Sequence, residues 1–175
     1  MQRLIILPLL WLLLTGLALA RGTYQTPGDF IDQAFDGDPP RARVLWLKGA
    51  LRKEVEDLLG HRYPSLRIRY WARGARSAWI LDEIGKDEPI TVGVVVDTGR
   101  IDRLRVLVFR ESRGDEVRHP FFTRQFEGAA LDGRQRLDRG IDNISGATLS
   151  VRALKKLARL ALLLDRWRNR QAPEE

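Results

Sequence analysis

The sequence contains no cysteine and only two histidines among its 175 residues. The absence of cysteine excludes a structural disulfide, a thiolate metal site, an iron–sulfur cluster, a catalytic thiol and a lipidated N-terminal cysteine. Two histidines, His61 and His119, cannot form a three-histidine zinc site, so no metal site is predicted. The glycines nowhere form the G-x-G-x-x-G pattern of dinucleotide-binding folds, and direct binding of NADH is therefore not expected.

The N-terminus carries a long apolar run, Leu4 to Ala20, directly after the basic residue Arg3. A positive region, an apolar stretch and the small-x-small signal Ala18-Leu19-Ala20 predict a secretory signal peptide over residues 1–20. An uncleaved membrane anchor is the alternative, because the run lies at the short edge of the about 17–25 apolar residues that a spanning helix needs. Both interpretations place the rest of the chain in the periplasm or otherwise outside the cytoplasm, and the second anchors it at the cytoplasmic membrane.

Basic residues exceed acidic ones, with 30 Lys and Arg against 23 Asp and Glu, and the formal net charge is +7. Such an excess is typical of proteins that meet nucleic acid, an anionic membrane surface or an acidic protein. The basic residues are spread along the chain, which favours a solvated surface. Because the N-terminus indicates export, nucleic acid is not expected as a partner.

Hydrophobic periodicity predicts the helices. A short helical stretch over residues 29–35 is followed by a breaker rich in Gly, Asp and Pro, and an amphipathic helix is predicted from Arg43 to Leu59, with Gly60 as its stop. A short aromatic helix is predicted over 119–126. The longest helix is predicted over 149–167, and the tail 168–175 is expected to fray.

Between these helices, alternating and β-branched segments predict four antiparallel strands. They cover residues 65–71, 77–84, 90–96 and 101–109. A polar loop over 111–116 and a loop or edge hairpin over 128–140 follow. The sequence therefore predicts an α+β fold in which a small antiparallel sheet meander packs with helices.

The segment before the long helix is small and polar, and it reads Asp142-Asn143-Ile144-Ser145-Gly146-Ala147-Thr148. A helix start offers unpaired backbone N–H groups and the positive end of the helix dipole, and phosphate is its usual guest. Gly146 lets the backbone approach a bulky ligand. The alternative from composition alone is an ordinary helix N-cap, which Ser and Thr form routinely.

Asp142-x-x-Ser145-Gly146-Ala147-Thr148 resembles the flavinylation motif of FMN-binding-domain proteins, among them the periplasmic flavin subunits of the sodium-pumping quinone reductase and of the Rnf electron-transport complex. In that family a flavin transferase uses FAD and Mg²⁺ to place FMN on the Thr hydroxyl as a phosphoester. The resemblance implies that Thr148 is the acceptor. It also implies that Ser145, Gly146 and Ala147 form a backbone cradle and that Asp142 is the acidic residue of the recognition motif.

The resemblance extends over residues 74–164 and includes a second segment. Glu111-Ser112-Arg113-Gly114 resembles the family's Glu-Thr-Pro-Gly loop, which lies by the flavin, and this implies that Glu111 and Ser112 bind the cofactor. Arg113 stands where the family commonly has Pro, so this segment departs from the pattern. The domains implied are a signal peptide or anchor (1–20), an N-terminal helical segment (21–62), an FMN-binding domain (63–167) and a tail (168–175).

A flavin ring needs an apolar wall and a few polar contacts. The candidates for the wall are aromatic, although core packing is the favoured interpretation of each: Trp79, Phe121, Phe122 and Phe126. Positive charge stabilises reduced flavin, and Arg113 and Arg124 are candidates for that contact, with a solvated surface arginine as the alternative.

These features together predict an exported flavoprotein, with FMN on Thr148, that acts as an electron-transfer subunit with a membrane or periplasmic redox partner. The first alternative is a flavin-dependent reductase with its own substrate, for which Tyr70, Glu111 and His119 are candidate proton donors. The second alternative is a non-redox basic binding module in which Ser145 and Thr148 only cap a helix.

Overall fold

The computed structural model describes residues 22–171, and the predicted signal peptide lies outside that range. Five strands form one antiparallel sheet in the order β1-β2-β3-β4-β5. The strands are β1 (Arg43–Trp46), β2 (Arg67–Arg73), β3 (Arg76–Ile84), β4 (Pro89–Asp97) and β5 (Arg100–Phe109). The α-helices are α1 (Pro27–Ala34), α2 (Gly49–Leu59), α3 (Pro120–Thr123) and α4 (Thr148–Gln171), and two 3-10 turns cover Asp115–Arg118 and Arg124–Phe126. The predicted α+β meander is confirmed.

The inner face of the sheet packs against α2 and α4. Leu51 of α2 and Leu154 of α4 share one buried cluster with Val92 and Val94 of β4. These residues recur at the helical and strand periods that bring apolar side chains to one face. The main core therefore lies between the sheet and the two long helices.

The outer face of the sheet is covered by α1 over β3, β4 and β5. Phe30 of α1 packs with Ala78, Val95 and Leu107, one residue from each of these strands. A Cβ atom at Gly93 would lie only 2.6 Å from the Phe30 ring, so the glycine creates the space that the ring fills. The short predicted helix near residues 29–35 is thereby confirmed as the cover of this face.

The predicted helix over 43–59 is wrong in its first part, because Arg43–Trp46 pairs with β2 as an edge strand. Leu45 points into the core whereas Val44 and Trp46 are exposed, which is the two-residue alternation of a strand. Gly49, in the left-handed region at φ +51°, is the first residue of α2, which begins three residues after the strand ends. The predicted helix stop at Gly60 is confirmed, since Gly60 is left-handed at φ +78° and its N–H donates to Glu56 O at 2.8 Å.

The long helix α4 begins one residue earlier than predicted and continues to Gln171. The predicted frayed tail is therefore wrong for residues 168–171. Arg168 holds this part of the helix, because its Nε donates to Asp165 Oδ1 at 2.8 Å and its Nη2 to the carbonyl of Ala75 at 3.0 Å. These contacts tie the end of α4 to the turn between β2 and β3.

All neighbouring strands are antiparallel, so the end of one strand lies beside the start of the next. The end of β1, the start of β2, the β3–β4 turn and the end of β5 therefore lie at the same end of the sheet, which we call the site end. The start of α4 also lies there. With 24 residues, α4 spans about 36 Å, so its last turn lies at the opposite end of the sheet. Within residues 22–171, no helix combines the length and apolarity that crossing a bilayer requires.

Candidate functional site

The seven-residue motif forms the turn that leads into α4. Thr148 is the first residue of the helix and its side chain is exposed. Ala147, which is buried, donates its N–H to Ile144 O at 3.0 Å and accepts from Val151 N–H at 2.9 Å. Gly146 is left-handed at φ +84° and nothing lies within 4 Å of the position a Cβ would take. The turn therefore presents an open backbone and an exposed hydroxyl at the positive end of a long helix.

A cavity of about 510 Å³ opens beside Thr148. Its walls come from three segments, namely Lys86 of the β3–β4 turn, Glu111–Arg113 after β5, and Gly146–Ser150 of the motif and first helical turn. This volume lies within the range of about 300–1,000 Å³ that small-molecule sites have. The structure thus brings Gly146, Ala147 and Thr148 together with Glu111 and Ser112 on one cavity, and their contact with a cofactor remains a prediction.

Two further motif residues do not line this cavity. Ser145 is exposed outside it, and Asp142 is exposed as well. The backbone N–H of Asp142 donates to Gln125 Oε1 at 2.7 Å, which fixes the start of the motif against the segment after α3. Their predicted roles in the cradle and in recognition remain predictions.

Asn143 is a site residue that the sequence reasoning missed. Its Nδ2 donates to Thr148 Oγ at 3.1 Å. The amide thereby holds the hydroxyl oxygen in place while the hydroxyl proton stays available. Its position inside the motif is the signal that could have identified it.

Glu111 organises the β3–β4 turn. Its Oε1 accepts hydrogen bonds from three successive backbone N–H groups, those of Lys86, of Asp87 at 2.8 Å and of Glu88 at 3.1 Å. A Cβ atom at Gly85 would lie 2.6 Å from the same oxygen, so the carboxylate would have to shift if another residue stood there. Glu111 consequently places Lys86 on the cavity wall, a positioning role in addition to the predicted contact with the cofactor.

The cavity has a basic rim. Lys86 and Arg113 both line it, and Lys86 Nζ lies 3.3 Å from Asp87 Oδ2 at the exposed edge. Arg124, the other arginine candidate, does not line the cavity. Two cations beside a helix N-terminus form a setting that suits a phosphate group.

Gly114 joins the Glu-Ser-Arg-Gly loop to the motif. It is left-handed at φ +87°, and a Cβ atom there would lie 2.8 Å from Ser150 Oγ and 3.2 Å from the Ala147 Cβ. The loop and the helix start are therefore in direct backbone-to-side-chain contact. The two segments that resemble the same family are neighbours in space.

Replacing Gly114 with alanine should lower the free energy of unfolding by about 2–4 kcal/mol, because the substitution adds left-handed strain and overpacks the helix start. Gly60→Ala is the matched control, since Gly60 is left-handed but nothing lies within 4 Å of its Cβ position. The control should lose only the left-handed strain, about 1–2 kcal/mol. Denaturant unfolding of both variants measures the difference, and equal losses would show that the contact with Ala147 and Ser150 has no cost.

Three of the four wall candidates are core residues, which is the favoured interpretation of each, and they form no part of the cavity wall. Trp79, Phe122 and Phe126 are completely buried in the main core. Phe121 is 64% exposed and stacks on His119 at 6.2 Å between ring centroids, but it does not line the cavity. The exposed apolar side chain on the cavity wall is instead Leu149, which is 36% exposed, whereas Ala147 on the same wall is buried.

The three candidate proton donors occupy different places. Tyr70 stacks on Trp79 at 4.9 Å and lines a cavity of about 590 Å³ that Arg168 also lines. That cavity lies at the far end of α4, on the order of 30 Å from Thr148 by helix length. Of the three donors, only Glu111 lines the cavity beside Thr148. Within residues 22–171, no group of three or more His, Asp and Glu side chains could hold a metal ion.

Comparison with known proteins adds one finding to this geometry. Residues 85–163 match the family model described as the FMN-binding domain. The matched segment includes all three walls of the cavity beside Thr148. No curated protein and no solved structure matches the chain.

Proposed function

Because residues 85–163 make this chain a member of the FMN-binding-domain family, we propose that it is an exported flavoprotein that carries FMN as a phosphoester on Thr148 and transfers electrons outside the cytoplasm. The observation that carries the proposal is the placement of Thr148. Its hydroxyl is exposed at the wall of a cavity of suitable size, at a helix N-terminus and next to two cations. That cavity lies within the matched family segment.

The residues around the cavity fit the parts of FMN. Lys86, Arg113 and the first N–H groups of α4 can neutralise a phosphoester at Thr148. Gly146 has no side chain to obstruct the cofactor, and Leu149 offers an apolar contact for the flavin ring. FMN when bound supplies reversible electron transfer, while the protein supplies position and electrostatics.

The attachment itself requires a partner enzyme, a flavin transferase that uses FAD and Mg²⁺. Thr148 Oγ would bond to the phosphorus on the flavin side of the FAD pyrophosphate, and the bond from that phosphorus to the bridging oxygen would break. AMP would leave, and the hydroxyl proton would pass to a base of the transferase. Asn143 supports this step by holding Thr148 Oγ without competing for its proton.

A covalent link suits an exported protein. FMN lost outside the cell cannot easily be recaptured, whereas an ester keeps it at a very high local concentration. Export rests on the apolar run Leu4 to Ala20 and its small-x-small signal. The proposed electron donor or acceptor is accordingly a membrane or periplasmic redox protein.

A reductase with its own substrate is less well supported. Among the three candidate proton donors only Glu111 lines the cavity, and its Oε1 already accepts three backbone hydrogen bonds. A non-redox basic module does not fit a chain with an FMN-binding domain. Electron transfer without a substrate pocket of its own therefore remains the better proposal.

Intact-mass measurement tests the proposal. The full chain is co-expressed with a flavin transferase in the presence of Mg²⁺ and FAD, and a known transferase substrate serves as a positive control. We expect the mass to increase by one FMN moiety only when the transferase is present, and peptide mapping to find the adduct on the peptide that contains Thr148. An unmodified chain beside a modified positive control would refute the covalent attachment.

A further inference from the structure

The outer face of the sheet is uncovered at β1 and β2. Helix α1 packs on β3, β4 and β5, and on this side of β1 the residues Val44 and Trp46 are 48% and 49% exposed. Their partners across the β1–β2 ladder are cationic, with Val44 opposite Arg69 and Trp46 opposite Arg67. Together with Lys48, these residues form what we call the β1–β2 patch.

The cations of the patch surround the exposed indole ring. Lys48 Nζ lies 4.9 Å and Arg67 Cζ 5.6 Å from the Trp46 ring centroid. Among the described residues, no carboxylate lies within 4.0 Å of the charged groups of Lys48, Arg67 or Arg69. Asp82, which β3 places on this face, accepts a hydrogen bond from Thr91 Oγ at 2.6 Å. The patch therefore combines exposed apolar surface with positive charge that the protein itself does not neutralise.

The patch lies at the site end of the sheet. Trp46 closes β1 and Arg67 opens β2 there. The chain also enters the sheet at this end, because Phe109 N–H donates to Gly22 O at 2.8 Å. The uncharged apolar run ends at residue 20, two residues before Gly22 in the sequence.

From these observations we propose that the β1–β2 patch docks on an anionic phospholipid surface. Tryptophan favours the headgroup level of a bilayer, and the long stems of Lys and Arg can lie on apolar surface while their charges meet lipid phosphates. Docking in this way would bring the Thr148 cavity close to the membrane surface.

Tryptophan quenching in vesicles tests the lipid contact. The full chain is mixed with vesicles of phosphatidylcholine, alone or with phosphatidylglycerol, that contain brominated acyl chains. Trp46→Phe identifies the part of the fluorescence that belongs to Trp46. We expect this part to be quenched in the anionic vesicles, and much less in the zwitterionic ones or at high salt. The quenching assigned to Trp46 can be interpreted whether or not the N-terminal apolar run inserts into the vesicle, because it reports the position of Trp46 alone.

Charge variants provide the matched comparison. Lys48→Gln, Arg67→Gln and Arg69→Gln together should weaken binding to the anionic vesicles, measured by the quenching of Trp46, on the order of a hundredfold, since each surface cation contributes roughly a fivefold change in binding to anionic lipid. The control carries Lys53→Gln, Arg134→Gln and Arg170→Gln, which remove the same charge from exposed positions elsewhere. Circular dichroism and thermal unfolding confirm that both variants fold.

Three results would overturn the proposal. One is a Trp46 signal that anionic vesicles do not quench, and another is an equal effect of the control variant. The third is protection of Trp46 only when an acidic protein partner is added, which would assign the patch to that partner. None of these measurements requires FMN, so the docking surface and the covalent cofactor succeed or fail separately.

Discussion

Replacing Thr148 with valine should abolish the attachment of FMN completely, because a phosphoester needs the hydroxyl that this substitution removes. Valine keeps the branched shape of the side chain, and Thr148 is exposed, so the fold should tolerate the change. Intact-mass analysis after co-expression with a flavin transferase measures the loss directly.

The control for this variant is Ser112→Ala, which removes another exposed hydroxyl from the wall of the same cavity. We expect it to carry FMN as the unaltered chain does. If Thr148→Val still gained the FMN mass and Ser112→Ala lost it, the acceptor would be Ser112.

Asn143→Ala tests whether the orientation of the Thr148 hydroxyl matters, because it leaves Thr148 intact but removes the hydrogen bond at 3.1 Å. It should slow the attachment without abolishing it.

Replacing Asp165 with alanine should lower the free energy of unfolding by about 3–5 kcal/mol, the usual cost of breaking a buried ion pair. Asp165 is 1% exposed, and its Oδ1 accepts from Ser77 Oγ at 2.6 Å and from Arg168 Nε at 2.8 Å. Trp79 Nε1 in turn donates to Ser77 Oγ at 2.8 Å. Alanine would leave the buried Ser77 hydroxyl without its acceptor and the nearly buried Arg168 guanidinium without its counter-ion.

Urea unfolding at neutral pH measures this loss. Asp57→Ala is the control, since Asp57 pairs with Lys53 at 3.0 Å across an exposed helix surface where such pairs contribute well under 1 kcal/mol. A loss of less than about 1 kcal/mol in Asp165→Ala would show that the network adds little to stability. The site cavity lies at the other end of α4, so attachment of FMN to folded Asp165→Ala protein should persist.

The sheet and α4 could be predicted from sequence because their apolar residues repeat at clear strand and helix periods. The first strand was predicted as helix, since four residues are too few to establish a period against the helix that follows. For Trp79, Phe122 and Phe126 the sequence favours core packing but leaves a cofactor wall open, because burial depends on what packs against each ring in three dimensions. In a single sequence, an aromatic residue of the core cannot be distinguished from one that lines a pocket.

The site itself was predictable in part. The motif and the Glu-Ser-Arg-Gly loop could be recognised as linear patterns, and the structure places both on one cavity. The hydrogen bonds from the backbone N–H groups of Lys86, Asp87 and Glu88 to the Glu111 carboxylate could not be predicted, because almost any residue type can supply a backbone N–H group. Lys86 could not be predicted as a site residue for the same reason, since these hydrogen bonds hold its turn beside the cavity.

The three walls of the cavity have a consequence for the order in which this protein matures. The motif residues are neighbours along the chain and are therefore close together even in an unfolded chain. Lys86, Glu111 and Thr148, in contrast, come together only after the sheet has formed and α4 has packed on it. Contacts between segments so distant along the chain form late, because the closure of long loops must come first. A loaded cofactor held by all three walls would therefore mark a chain that has completed folding, and an incompletely folded chain would hold FMN by the ester alone.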